Sequence, residues 1–261
     1  MDIKDYAKSG IEEILVTSSI DGSREPSLLW RCEEQPAPLL VGLHTWSADR
    51  HNQVDTFFPL ARKHSWHLLL PEFRGPNLNT NPRATSACAS TLAMQDVIDA
   101  IEMVCSMVRV DQSRIFLIGG SGGGHMALML AGYKPALWCS VASFCGITDL
   151  KAWHSENPSY TPHIEACCGG KPDEKSDEYA KRSPVSYAIE IAKCREVYIY
   201  HGKFDRSVPF THGLNLFNKI CSINPQAHVF LEIFDGGHDM IIEKAESQFL
   251  KAGKTAKVIS G

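Results

Sequence analysis

The sequence predicts an α/β fold: a mostly parallel central sheet with antiparallel N-terminal strands and helices on both faces. Three observations carry this. From Leu39 onward, short apolar runs alternate with longer runs of helical period. Before them, Ile14 to Ser18 and Leu28 to Arg31 read as two strands joined by a turn at Asp21-Gly22, an antiparallel start. Third, Arg114 to Ile118 passes through Gly119-Gly120-Ser121-Gly122-Gly123 into His125 to Ala131, which stops at Gly132 with Pro135 just beyond. That is a strand, a tight turn and a helix.

The elements follow in order. Leu39 to Leu43 is a buried strand ending at His44-Thr45-Trp46, and Trp66 to Leu70 is another, ending at Pro71 to Gly75. A loop rich in Asn, Pro and Ser then runs to about Ser90. Met94, Val97, Ile98, Ile101, Val104, Cys105 and Val108 mark one apolar helix face, with Gln95, Asp96, Asp99 and Glu102 opposite. The glycine turn with its strand and helix comes next, then a strand at Ser140 to Phe144. Residues 149–186 are polar, aromatic and irregular, too long for a plain connection, so they are expected to form a cap or insertion over the site. Val197 to Tyr200 is a strand, His212 to Ile223 a helix, Val229 to Phe234 a strand and Met240 to Ala252 a closing helix. No repeat, low-complexity tract or linker divides the chain, so residues 1–261 are expected to form one domain.

Composition narrows the function. The 261 residues are 44% hydrophobic and 21% charged, ordinary for a globular chain with a full core. The net charge of −4, with no basic stripe, gives no electrostatic case for nucleic acid or an anionic membrane as partner. No apolar run approaches a membrane span, and Met-Asp-Ile-Lys-Asp-Tyr at the start lacks the apolar core of a signal peptide. Nine cysteines are scattered without a C-x-x-C pair. Cys105, Cys139 and Cys145 fall in apolar stretches and read as small buried hydrophobes. The vicinal Cys167-Cys168 is a weak candidate for a redox or metal feature. A reducing cytoplasm is the expected compartment.

Function in a parallel sheet lies at the carboxyl ends of the strands. A G-x-S-x-G turn between strand and helix pushes the serine out at that edge and sets its hydroxyl at a helix N-terminus, which favours developing negative charge. Gly119 and Gly123 are small where the two backbones pass. A phosphate-binding loop is the rival, but no lysine follows as a Walker loop requires. A serine hydroxyl needs a base, and the base an orienting acid. The strand at Val197 delivers Asp205 to the same edge, and the strand at Val229 delivers His238 between glycines and Asp239. Asp149 is the rival acid, and Asp235 a weaker one fixed by its own strand. His125 sits in the elbow helix and points toward packing, while His44 and His201 brace loops. Donors for a tetrahedral oxyanion are expected from the amide of Gly122 and from the loop after Leu43, where Trp46 is preferred and Thr45 held in reserve.

With these pieces in place the chain resembles an α/β-hydrolase of the prolyl-oligopeptidase-like group. The matching residues are Gly119 to Gly124, Phe73-Arg74-Gly75, His201-Gly202 with Asp205 and Val208-Pro209, and Gly237-His238. His44-Thr45-Trp46 stands where that group usually has His-Gly-Gly. The resemblance implies the α/β-hydrolase fold and a catalytic domain without the group's N-terminal propeller. The reading is a serine hydrolase cleaving small-molecule carboxylic esters through an acyl-enzyme, with esters of acylated carbohydrates or aromatic acids as candidate substrates. Ser121 is the nucleophile, His238 the base and Asp205 the orienting acid, with no metal or organic cofactor implied. Activity should fall below about pH 6 to 7 as a histidine base is protonated. Arg74, Trp153, His154 and Tyr160 lie in loops expected to border the substrate, unless they pack the insertion onto the body. A small peptidase acting on short or N-blocked peptides is the first alternative, and a non-catalytic binding protein on this fold the second.

Overall fold

The computed structural model describes residues 9–259. Residues 1–8, which hold the Met-Asp-Ile-Lys-Asp-Tyr start, lie outside them. The strands are β1 (Ile11–Thr17), β2 (Arg24–Trp30), β3 (Ala37–Leu43), β4 (His67–Pro71), β5 (Val110–Gly120), β6 (Ser140–Phe144), β7 (Val197–Gly202) and β8 (Val229–Phe234). They form one sheet in the order β1-β2-β4-β3-β5-β6-β7-β8. β1 pairs with β2, and β2 with β4, antiparallel; every later pairing is parallel.

Helices cover both faces. On one lie α1 (Val54–Lys63) and the closing α9 (Ile242–Ile259), and on the other α2 (Thr91–Met107), α3 (Gly122–Tyr133), the short α7 (Ala188–Ile191) and α8 (Thr211–Ile223). The central strands feed both layers by alternation. Ile115 and Leu117 of β5 pack toward α2 and α3, whereas Phe116 and Ile118 pack toward α9. With both faces buried the strand reads as one continuous apolar run, which is why these strands were legible in the sequence. Two elements depart from the reading. α1 was not foreseen because Pro59 interrupts its pattern, at the cost of one helical hydrogen bond. The closing helix begins at Ile242 rather than Met240, which leaves Met240 free to pack beside the glycine turn.

The insertion between β6 and β7 is helical rather than irregular. It contains α4 (Leu150–Glu156), α5 (Thr161–Cys168) and α6 (Ser176–Lys181). A third cluster fastens it to the loops leaving the carboxyl ends of the strands: Trp46, Cys88 and Val208 from the body meet Trp153, Ile164, Cys167 and Tyr179. Arg182 reinforces the seam, donating to the carbonyls of Thr85, Ala87 and Cys88 at 2.8, 2.7 and 3.3 Å. All nine cysteines are free, Cys167 and Cys168 being two more buried thiols of this cluster.

Candidate active site

Strand β5 ends in a turn that only a tight set of contacts sustains. Ser121 has φ 56° and ψ −120°, a region costly for a residue with a side chain, by about 1–3 kcal/mol. Its amide donates to the carbonyl of Phe144 at 2.8 Å, and its carbonyl accepts from His125 at 2.9 Å, so both sides of the turn are pinned. Gly119 is obligatory there: a Cβ on it would sit 2.3 Å from the backbone of Gly123. The result is a half-exposed serine at the N-cap of α3.

The loop after β3 comes up against the same helix start. A Cβ built on Gly122 would lie 2.4 Å from the backbone nitrogen of Trp46. The Gly122 amide opens α3 and so has no intrahelical acceptor. Among the described residues no acceptor takes the Trp46 amide. The Thr45 amide, by contrast, donates to Asn52 Oδ1 at 3.2 Å. Two unspent N–H groups, those of Gly122 and Trp46, therefore stand side by side next to Ser121. Thr45, the reserve, is engaged elsewhere.

Asp205 and His238 meet as their strand ends predict. His238 Nδ1–H donates to Asp205 Oδ2 at 2.6 Å. Asp205 is buried, and its other oxygen accepts from the amides of Ser207 and Val208 at 2.8 and 2.9 Å. Burial alone would raise this carboxyl, but the adjacent His201 ring and hydrogen bonds from His238 and the Val208 amide outweigh it and hold it well below the usual range. Asp205 thus stays ionised beside an imidazole whose Nδ1 carries the proton, leaving Nε2 as an acceptor. The His238 side chain is 32% exposed, so its ring is not buried in the core. Its loop is drawn over the elbow: Met240 packs so closely on Gly120 that a Cβ there would meet its sulfur at 2.4 Å.

The rivals are accounted for. Asp149 caps α4, accepting from the amides of Lys151 and Ala152 at 2.9 and 3.1 Å, and so is committed to the insertion. Asp235 is exposed. His44 Nε2–H donates to Glu72 O at 2.8 Å and the ring stacks on Phe73, and His201 Nε2–H donates to Val208 O at 2.8 Å, so each braces a loop. His125 is buried and its Nε2–H donates to Arg182 O at 2.6 Å; burial pushes its pKa down to about 4.

The four expected rim residues are used differently. Arg74 is a correction: it is 3% exposed, and its guanidinium is taken up by Asp21, Ser18 and Asp96 beneath β1 and β2. The sequence reading missed this because those partners lie far away along the chain. Trp153 is buried and its indole N–H donates to Ser207 O at 2.8 Å, tying the insertion to the Asp205 loop. His154 pairs with Glu165 at 3.0 Å, joining α4 to α5. Tyr160, half-buried, packs at a tilt against Trp153 with centroids 4.7 Å apart, and Trp46 lies edge-on to Trp153 at 4.8 Å. These three follow the packing alternative.

One residue beside the base was not foreseen as such. Cys145 directly follows β6 with φ 49° and directs its buried sulfur at the His238 loop, 3.7 Å from Gly237 O and 3.6 Å from Asp239 O. Burial pushes its thiol up to about 12, so it is protonated and does not compete as a nucleophile. Nothing in the sequence joins it to a histidine 93 positions later.

Comparison with known proteins agrees with this geometry. The model of the prolyl oligopeptidase family matches residues 88–253. An acylamino-acid-releasing enzyme of Rattus norvegicus is 26% identical over 213 residues, covering 76% of this chain and 28% of that protein. The acetyl esterase Axe7A of Xylanibacter ruminicola is 28% identical over 123 residues, covering 47% of this chain and 28% of its own. The chain thus spans little more than a quarter of the length of these relatives. Among solved structures, the fluorophosphonate-binding serine hydrolase FphF of Staphylococcus aureus superposes with a TM-score of 0.72 at 14% identity, covering 92% of this chain and 97% of that one.

Proposed function

The chain belongs to the prolyl oligopeptidase family, and from that premise we propose that it is a serine hydrolase whose substrates are small carboxylic esters. The observation that carries the reading is the convergence of an elbow serine, two unspent amides and an Asp–His pair on one edge of the sheet. In the proposed sequence the Ser121 hydroxyl gives its proton to His238 Nε2 and attacks the ester carbonyl. The oxyanion is received by the amides of Gly122 and Trp46, where fixed donors act without reorganisation. Asp205 holds the imidazole tautomer and stabilises the imidazolium. The leaving alkoxide takes the proton from His238, and water, deprotonated by the same imidazole, releases the acyl group.

Replacing Ser121 by Ala is expected to abolish both ester turnover and covalent labelling by a fluorophosphonate. Labelling that persists in a folded variant would move the nucleophile elsewhere.

A second reading is favoured by the names of the relatives: release of an N-acylated amino acid from a short peptide, as the acylamino-acid-releasing enzymes do by name. Both readings transfer an acyl group to water, but an amide requires His238 to protonate an amine as it leaves. Turnover of an aryl ester and of an N-acetyl aminoacyl anilide, measured side by side, separates them. No helix among the described residues is long and apolar enough to cross a membrane. With all cysteines free, we place the protein in a reducing cytoplasm.

A further inference from the structure

Cys145 is the chemistry-bearing side chain beside the base that acyl transfer leaves idle. Its thiol, the Asp205 carboxylate and the His238 imidazole each offer a donor atom, and the three atoms lie within 4.8 Å of one another. Among the described residues this is the one group of three so placed. Sulfur, imidazole nitrogen and carboxylate oxygen suit Zn2+, which binds tetrahedrally at about 2.3 Å from sulfur and about 2.0–2.2 Å from nitrogen or oxygen.

We infer that Cys145, Asp205 and His238 form a site for a thiophilic divalent cation, Zn2+ fitting best, and that filling it silences the hydrolase. The inference rests on His238 being the base. Three features support it. Asp205 spends one oxygen on the Ser207 and Val208 amides and keeps the other, Oδ2, on the His238 side. A tetrahedral cation holds its donors roughly 3.3–3.6 Å apart, so the 2.6 Å contact between Asp205 and His238 need open by only roughly 0.7–1 Å to admit it. Finally, a thiolate and a carboxylate together neutralise a divalent ion, so the filled site buries no net charge.

The protons balance as follows. The Cys145 thiol releases its proton to solvent as the metal–sulfur bond forms. His238 Nδ1 exchanges its hydrogen for the metal, and the ring takes one proton from water at Nε2 and remains neutral. An imidazole protonated at Nε2 has no lone pair for the Ser121 hydroxyl. Inhibition therefore follows from the tautomer, before any displacement of the side chain.

Co2+ serves as the coloured probe. Titrating the whole chain with CoCl2 should build a thiolate-to-cobalt charge-transfer band that saturates at one equivalent and disappears on adding ZnCl2. ZnCl2 should inhibit p-nitrophenyl acetate hydrolysis, with EDTA restoring the rate. Cys145→Ser should lose the band and raise the half-inhibiting Zn2+ concentration roughly tenfold or more, with metal-free kcat/KM within about threefold of wild type. Cys145→Ala should behave alike. A band that survives in either variant, or inhibition unchanged in both, puts the thiolate ligand elsewhere and overturns the site. So does a wild-type protein with neither band nor inhibition at roughly millimolar Zn2+. The cobalt band is read without turnover, so a chain that shows it yet cleaves no ester would refute the hydrolase reading alone.

Discussion

Gly122→Ala is the sharpest test of the oxyanion geometry. The added methyl would stand 2.4 Å from the Trp46 nitrogen, where contacts below 3.0 Å force something to move and 3.4 Å is ordinary. The atom opposed is backbone, so the Trp46 loop and the start of α3 must separate by roughly 0.6–1 Å, and displacements of that size suffice to cost about 10²-fold in rate. Loss of one oxyanion donor costs on the order of 10²–10³ in kcat, about 2.7–4 kcal/mol. KM should hardly change, since the two amides bind the transition state far better than the carbonyl of the ground state. Stability should suffer less than activity. Overpacking costs about 1–3 kcal/mol, and the alanine returns up to about 1 kcal/mol in helix propensity. A melting point lowered by a few degrees is expected. Steady-state ester kinetics and the rate of fluorophosphonate labelling, read beside a thermal melt, make the measurement. A kcat within about threefold of wild type in protein whose melting point has fallen would show that these amides are not the donors.

Three further outcomes follow from the same contacts. Asp205→Asn should lower kcat on the order of 10³–10⁴-fold by releasing the wrong imidazole tautomer, and a loss under about tenfold in the purified variant would remove Asp205 from that role. His125, with a folded pKa of about 4, titrates near 6.5 when unfolded, so across that window only the unfolded chain binds the proton. Stability should therefore fall by about 3 kcal/mol as pH drops from about 6.5 to about 4. His125→Gln should flatten that part of the urea-midpoint profile, and an unchanged acid slope would contradict the assignment. Arg182→Met removes the guanidinium that donates to the carbonyls of Thr85, Ala87 and Cys88 and should cost about 3 kcal/mol in urea unfolding. A variant as stable as wild type would mean that the apolar seam alone holds the insertion.

The elements that position the site were legible for a local reason. β5, its glycine turn and α3 are specified by residues adjacent in sequence, and so are Asp205 and His238, each a few positions past an apolar strand. Trp46 could be named as a candidate for the same reason, since it lies in the loop directly after β3. Arg74 was misjudged because a loop position says nothing about reach: its guanidinium turns inward to Asp21 and Asp96, carried there by β1, β2 and α2. Cys145 was read correctly as buried, yet its neighbours were invisible.

What the sequence determined by itself was the alternation of strands and helices and the chemical identity of the groups at each strand end, because period, turn chemistry and apolar runs are properties of neighbouring residues. Tertiary structure alone decided who meets whom. The 2.6 Å contact from His238 to Asp205, the abutment of Gly122 on Trp46 and the sulfur laid against the histidine loop all join residues from different strands. Their encounter is fixed by strand order and register, which the packing of the whole sheet sets and no single stretch encodes.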